Sequence, residues 1–100
     1  NIPLLEGSVL RHLRGAVKGV MVPWMYMGMA YTTFCWHTED HNLYSINYHH
    51  WGQPKTWYSI PGSSAHQFEA TIRQMFPDLF RRYPDLLLQL VTMVDPRRLT

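Results

Sequence analysis

The sequence predicts a mainly β scaffold that carries a helical insertion. Three observations predict it. Residues 21–36 are rich in Val, Tyr, Trp, Phe and Thr, the side chains that suit a pleated, half-buried surface. Residues 43–50 alternate between two faces, with Leu43, Ser45, Asn47 and His49 on one and Tyr44, Ile46, Tyr48 and His50 on the other. A run of helical period then separates these from a last apolar stretch at 90–94. Strands, helices and a closing strand describe a β scaffold with an insertion.

Taken in order, residues 8–13 suit a short helix with Ser8 as its N-cap, stopping before Gly15. Gly28 interrupts the strand-like stretch and marks a bulge or a close backbone approach. Trp51, Gly52, Gln53 and Pro54 supply turn chemistry, so 55–60 reads as the strand returning from 43–50. Pro61 and Gly62 end it. Ser64 with Gln67 fits a capping box, and Phe68, Ile72, Met75 and Phe76 share one face of the helix that follows. Pro77 and Pro84 open two short helical turns, 78–83 and 85–89.

Composition narrows the class. With 46% hydrophobic and 16% charged residues, intrinsic disorder is a poor reading. A formal charge of +2 is too mild to announce a nucleic-acid binder, and Arg81, Arg82, Arg97 and Arg98 read as solvated faces. The longest apolar run, 20–31, is broken by Pro23 and Gly28 and is shorter than the roughly 20 residues of a membrane span. One cysteine, Cys35, rules out an internal disulfide and suits a reducing compartment. No repeat or linker divides the 100 residues. A start at Asn1 and an end after Asp95-Pro96, without a closing cap, lead us to expect an excerpt from a longer polypeptide.

His37-Thr38-Glu39 is the first chemical signal. On a strand, positions i and i+2 point the same way, so imidazole and carboxylate project toward one ion. That supplies two ligands of a 2-His-1-carboxylate iron site. With six histidines in the chain, about 0.4 such pairs arise by chance, and a strand-end ion pair is the competing reading. Ser45 and Asn47 put small polar groups on a face that a plain core would fill with carbon, so they call for a polar ligand or water. Lys55 sits in an aromatic strand beside Trp57. Either a bound carboxylate partners its ammonium, or the hairpin end lets the ammonium reach water. Asn47 and Lys55 face one cavity only if the hairpin loop has an odd residue count, such as Gly52-Gln53-Pro54, and that register is the one expected. His12, His41, His49, His50 and His66 suit structural or surface roles, and Cys35 packing.

The run FCWHTEDHNLYSINYHHWGQPKTWYSIP at 34–61 resembles the Jumonji-C (JmjC) histone lysine demethylases. VPWMYMGM before it and FPDLF, PDLLLQLVTM and DPRRL after it extend the likeness over nearly the whole chain. The later segments look most like the subfamily acting on histone H3 lysine-4, while TTFCWHTEDHNLYSINY is also similar to the subfamily for lysine-9 and lysine-36. The resemblance implies a double-stranded β-helix, a cupin-like jelly roll. It makes His37 and Glu39 iron ligands, and Ser45, Asn47 and Lys55 the holders of 2-oxoglutarate, with Lys55 on the distal carboxylate. Phe34 would line that pocket with Trp57 packing nearby, and Tyr26 would stand beside the methylated lysine.

The implied function is Fe(II)-, 2-oxoglutarate- and O2-dependent demethylation of methyl-lysine on a histone H3 tail, within nucleosomes and chromatin complexes of the nucleus. Neither a membrane nor direct nucleic-acid contact is expected of this segment. Two departures are expected to matter. The family's second iron-binding histidine lies downstream, and 90–100 holds no histidine; an upstream cosubstrate tyrosine precedes Asn1. Residues 1–100 are therefore expected to be a partial JmjC domain, inactive alone and exposing unpaired strand edges. Competing readings are an inactive histone-binding or scaffold module, a lysine-9 or lysine-36 demethylase, and a JmjC protein hydroxylase. Intact His37, Glu39, Asn47 and Lys55 count against the inactive module.

Overall fold

Prolines decide where the helices break. In the computed structural model, which describes residues 1–99, helix α1 spans Ala65–Met75 and helix α2 spans Pro77–Arg82. Each helix ends on a residue that precedes a proline: Phe76 at φ −133°, ψ 56° and Tyr83 at φ −133°, ψ 83°. The proline ring disfavours the helical region for its predecessor, and α1 and α2 part at Phe76. Pro77 in turn opens α2, where its missing N–H costs nothing. The turn expected after Pro84 is a 3-10 turn at Leu86–Leu88.

The predicted apolar face of α1 is the one that packs. Ile72 is fully buried, with Phe80 of α2 and Leu86 beside it. Phe68, Met75, Phe76, Leu87, Val94 and Leu99 close around these three. Each fully buried aliphatic side chain contributes about 1.5–3 kcal/mol, so this small cluster is a modest core. The capping box is not formed, because Ser64 makes no side-chain cap bond. A 3-10 turn, Gly62–Ser64, precedes the helix and holds Ser64 at φ −102°, ψ 6°, outside the extended conformation from which an N-cap hydroxyl reaches back.

These elements belong to a unit that spans Thr33–Thr100; a second unit spans Asn1–Thr32. In the latter, the expected short helix is a 3-10 turn, Val9–His12. Ser8 caps it by accepting the Leu10 N–H at 3.3 Å, and Gly15 turns the chain at φ 100°. The close approach expected at Gly28 is present: a Cβ there would stand 3.3 Å from Thr32 Cβ. It belongs to a tight turn in which Met29 N–H donates to Thr32 Oγ1 at 3.0 Å and Thr32 N–H to Met29 O at 3.1 Å.

The β expectation is not met. Among the described residues no strand ladder forms at 21–36, 43–50, 55–60 or 90–94; one isolated parallel bridge joins Lys18 and Val22. The bend at the expected turn is there, with Gly52 at φ 112°, but no pairing follows it, so the odd-loop register does not exist here. β propensity measures fit to a half-buried surface, not a backbone preference. Tyr44, Ile46 and Tyr48 are 105%, 72% and 81% exposed, so no second layer among the described residues covers this face. No helix of the described residues is long and apolar enough to cross a membrane.

Near the chain's end, Asp95 begins a 3-10 turn, Pro96–Arg98, by accepting the Arg97 N–H at 3.0 Å and the Arg97 guanidinium on both oxygens. The side-chain bonds to Arg97, and then its backbone N–H, hold the Asp95 carboxyl below the usual carboxylate range. A native value lowered in this way stabilises the turn above the unfolded carboxylate value, near 3.9, and that stabilisation is lost as pH falls through the lower native value.

Two outcomes are expected. In the 100-residue chain, amide exchange should be slow at Phe76, Phe80 and Tyr83 and unprotected across 44–50 and 55–60; protected amides in the latter would reveal a ladder. A carbon-13 titration should place the Asp95 midpoint below about 3.9, moving up in 1 M salt because the pair is exposed; an unshifted midpoint would contradict the Asp95–Arg97 bonds.

Candidate functional site

The segment bearing His37 is tied to the chain's last apolar stretch. Trp36 N–H donates to Thr92 O at 3.0 Å, and the Trp36 indole Nε1–H donates to Val94 O at 3.1 Å. Thr33 Oγ1 lies 3.5 Å from Met93 Sδ, in donating geometry. Val94 belongs to the helical cluster, and Phe68 of α1 packs its ring 5.2 Å from that of Trp36. The residue before His37 is therefore fastened to the only hydrophobic cluster of this unit among the described residues.

His37 and Glu39 do point together. Nε2 of His37 and Oε1 of Glu39 are 3.8 Å apart, both side chains more than a third exposed. That gap is wide for a hydrogen bond. It is shorter than twice a metal–ligand bond of about 2.1 Å, so a single ion can touch both atoms. His37 Nδ1 lies 2.7 Å from Cys35 O, and since a carbonyl only accepts, Nδ1 carries the hydrogen. The neutral ring then keeps its lone pair on Nε2, the nitrogen facing Glu39. A backbone carbonyl that fixes the imidazole in this way is the usual support of a metal-bound histidine. The donor set thus fits a divalent ion as two of its ligands; among the described residues no group of three potential ligands forms.

The chain turns sharply beyond Glu39. Asp40–Asn42 form a 3-10 turn in which His41 (φ 55°) and Asn42 (φ 52°) are left-handed, which takes His41 off the line of the strand pattern.

Lys55 lies in an aromatic clasp. Its Nζ is 4.7 Å from the Phe34 ring centroid and 4.6 Å from that of Trp57, and the two rings are themselves 4.6 Å apart at 54°. Each cation–π contact stabilises by about 0.5–2 kcal/mol, according to how far the ammonium is desolvated. Lys55 is half-buried rather than extended into water. Phe34 and Lys55, 21 positions apart in the sequence, are therefore brought together as expected.

Ser45 and Asn47 are exposed, and without a hairpin register nothing sets them on one face with Lys55. Tyr26 is exposed and lies in the other unit. Two depressions, of about 380 Å³ (lined by Leu4, Leu13, Met21 and neighbours) and about 200 Å³ (lined by Phe76, Leu86, Thr92 and neighbours), include none of the expected site residues. Trp36 and the carbonyls of Cys35, Thr92 and Val94 escaped the sequence reading. Backbone acceptors leave no trace in side-chain identity, and the tryptophan beside His37 was the one available sign.

Comparison with known proteins gives the same direction throughout. Residues 24–100 match the family described as JmjC domain, hydroxylase. The chain is 56% identical over 96 residues to lysine-specific demethylase JMJ17 of Arabidopsis thaliana, an alignment covering 96% of this chain and 8% of that protein. It is 53% identical to lysine-specific demethylase JMJ703 of Oryza sativa subsp. japonica, with the same coverage. Against lysine-specific demethylase 5B of Gallus gallus it is 52% identical over 99% of this chain and 6% of the relative. The chain thus spans less than a tenth of the length of these relatives. No solved structure matches it significantly.

One outcome follows from the imidazole geometry. Long-range nitrogen-15 spectra of the neutral ring should show His37 protonated at Nδ1; an Nε2-protonated ring would contradict the bond to Cys35.

Proposed function

The chain belongs to the JmjC domain hydroxylase family, and we propose that it supplies the iron-ligating and cosubstrate-binding part of a histone lysine demethylase. The observation that carries this reading is the pair of donors 3.8 Å apart, with the imidazole already held in the metal-binding tautomer. His37 and Glu39 would hold Fe(II), and Lys55 would receive the distal carboxylate of 2-oxoglutarate through a charge-assisted bond. The bound iron, 2-oxoglutarate and O2 supply oxidation of an N-methyl C–H bond, with succinate, carbon dioxide, formaldehyde and the less methylated lysine as products.

This chain's own residues do the positioning. Phe34 and Trp57 hold the Lys55 ammonium by its face contacts and shield one side of it from water, so an arriving carboxylate meets a cation already in place. Ser45 and Asn47 would close on the cosubstrate once the segments 43–50 and 55–60 acquire a common sheet. Within the family's cupin-like jelly roll these segments would find the ladders they lack here. Tyr26 would stand beside the methylated lysine. No lone pair on the substrate nitrogen is needed for this chemistry, so trimethyl-lysine is an allowed substrate.

The substrate proposed is the histone H3 tail, at lysine-4, in the nucleus and among chromatin complexes. FPDLF, PDLLLQLVTM and DPRRL support that choice by their resemblance to the lysine-4 subfamily, and the relatives' names support demethylation of lysine. Residues 1–100 are proposed as part of a JmjC domain whose remaining iron ligand lies outside them.

The test is made in the protein as its cell produces it. His37→Ala should abolish formaldehyde release from methylated H3 peptide and weaken Mn(II) binding. Lys55→Ala should raise the KM for 2-oxoglutarate about 10- to 100-fold, the loss of one hydrogen bond to a charged group, with kcat little changed. A Lys55→Ala protein with the same cosubstrate requirement as the parent would refute the Lys55 assignment.

A further inference from the structure

We infer that Trp36 is a positioning residue for the metal ligand His37, acting through the plane of the peptide that precedes it. The inference rests on the iron-site reading above and adds a residue to it. The Cys35 carbonyl and the Trp36 N–H belong to one peptide group, and that group is planar and rigid. Its oxygen accepts from His37 Nδ1 at 2.7 Å, and its N–H donates to Thr92 O at 3.0 Å. A rotation that improved one bond would break the other. The orientation of the imidazole is thereby set by residue 92, more than fifty positions away.

The Trp36 side chain makes this arrangement stiff. Its indole Nε1–H donates to Val94 O at 3.1 Å, a second point of attachment to the same segment, two residues on from the first. Two points two residues apart remove the swivel that one hydrogen bond would leave. The anchor itself does not move freely: Thr92 is buried and Val94 packs against the Ile72, Phe80 and Leu86 cluster. Phe68 of α1 holds the indole from a third side. Bonds in such a chain polarise one another, so the Thr92 carbonyl also strengthens the Cys35 carbonyl as an acceptor and makes the His37 imidazole a better donor of its Nε2 lone pair.

The experiment compares Trp36→Phe with the parent in the protein as its cell produces it, using Mn(II) as a redox-stable probe read by the electron paramagnetic resonance of the free ion. Groups that support a metal ligand typically govern 10- to 100-fold in affinity, so Trp36→Phe should weaken Mn(II) binding about tenfold while the KM for 2-oxoglutarate stays at the parent value. Leu87→Ala, which trims the same cluster without touching the bracket, should lower the melting temperature and leave the Mn(II) affinity of the folded protein unchanged. Should Trp36→Phe fold poorly, benzothienylalanine at position 36 keeps the ring and removes only the N–H, and the same loss is expected of it. Parent-like Mn(II) affinity in that isosteric variant, with affinity lost in His37→Ala, would overturn the inference and leave the iron-site reading standing. Parent-like affinity in His37→Ala would overturn both.

Discussion

One flat peptide group, between Cys35 and Trp36, governs how the candidate site is built. Its two polar atoms face in opposite directions, one toward His37 and one toward Thr92. The helices bear on the candidate site chiefly through this group. They bury Ile72, Phe80 and Leu86, the cluster takes in Val94, and Val94 presents the carbonyl that fixes the neighbouring indole. A core of three closed side chains is small. It suffices here because it has to orient one imidazole, whose freedom is two torsions, rather than hold a whole sheet.

Local and distant parts of the site differ in how fully they are formed. His37 and Glu39 are two residues apart, and Cys35 is two residues before His37, so their geometry costs almost no loop closure. The Lys55 clasp needs a loop of about twenty residues, and two aromatic faces contact the ammonium there. Ser45 and Asn47 depend on something larger, a sheet with register, and they stand exposed. Their neighbours Tyr44, Ile46 and Tyr48 are large side chains turned to solvent, a surface that a second sheet layer would cover.

What could be read in the sequence follows the same division. Prolines and the 3.6-residue period are properties of single segments, and they placed both helices and the buried face of the first one correctly. The histidine-to-glutamate spacing is equally local, and the two side chains do converge. Strand pairing is a relation between segments. The alternation at 43–50 shows which residues would share a face of a sheet, but it cannot supply the sheet, and the chain forms none there. The capping box erred for a related reason: its two residues are correct, yet a preceding turn changed the backbone angle that the motif presupposes. Strand position had already set Lys55 beside Trp57; the resemblance alone added Phe34, whose ring lies against both.

On the proposed reading, the aromatic clasp and the carbonyl bracket solve the same problem with opposite polarity. A ligand for a cation must offer a lone pair in a fixed direction, so the imidazole is oriented from behind by an acceptor that takes its other hydrogen. On the proposed reading, a receptor for a carboxylate must offer a positive charge from a fixed place. Ring faces attract the ammonium of Lys55 at a strength below that of a desolvated carboxylate bond. On that reading, Phe34 and Trp57 hold the Lys55 ammonium where the cosubstrate carboxylate would meet it.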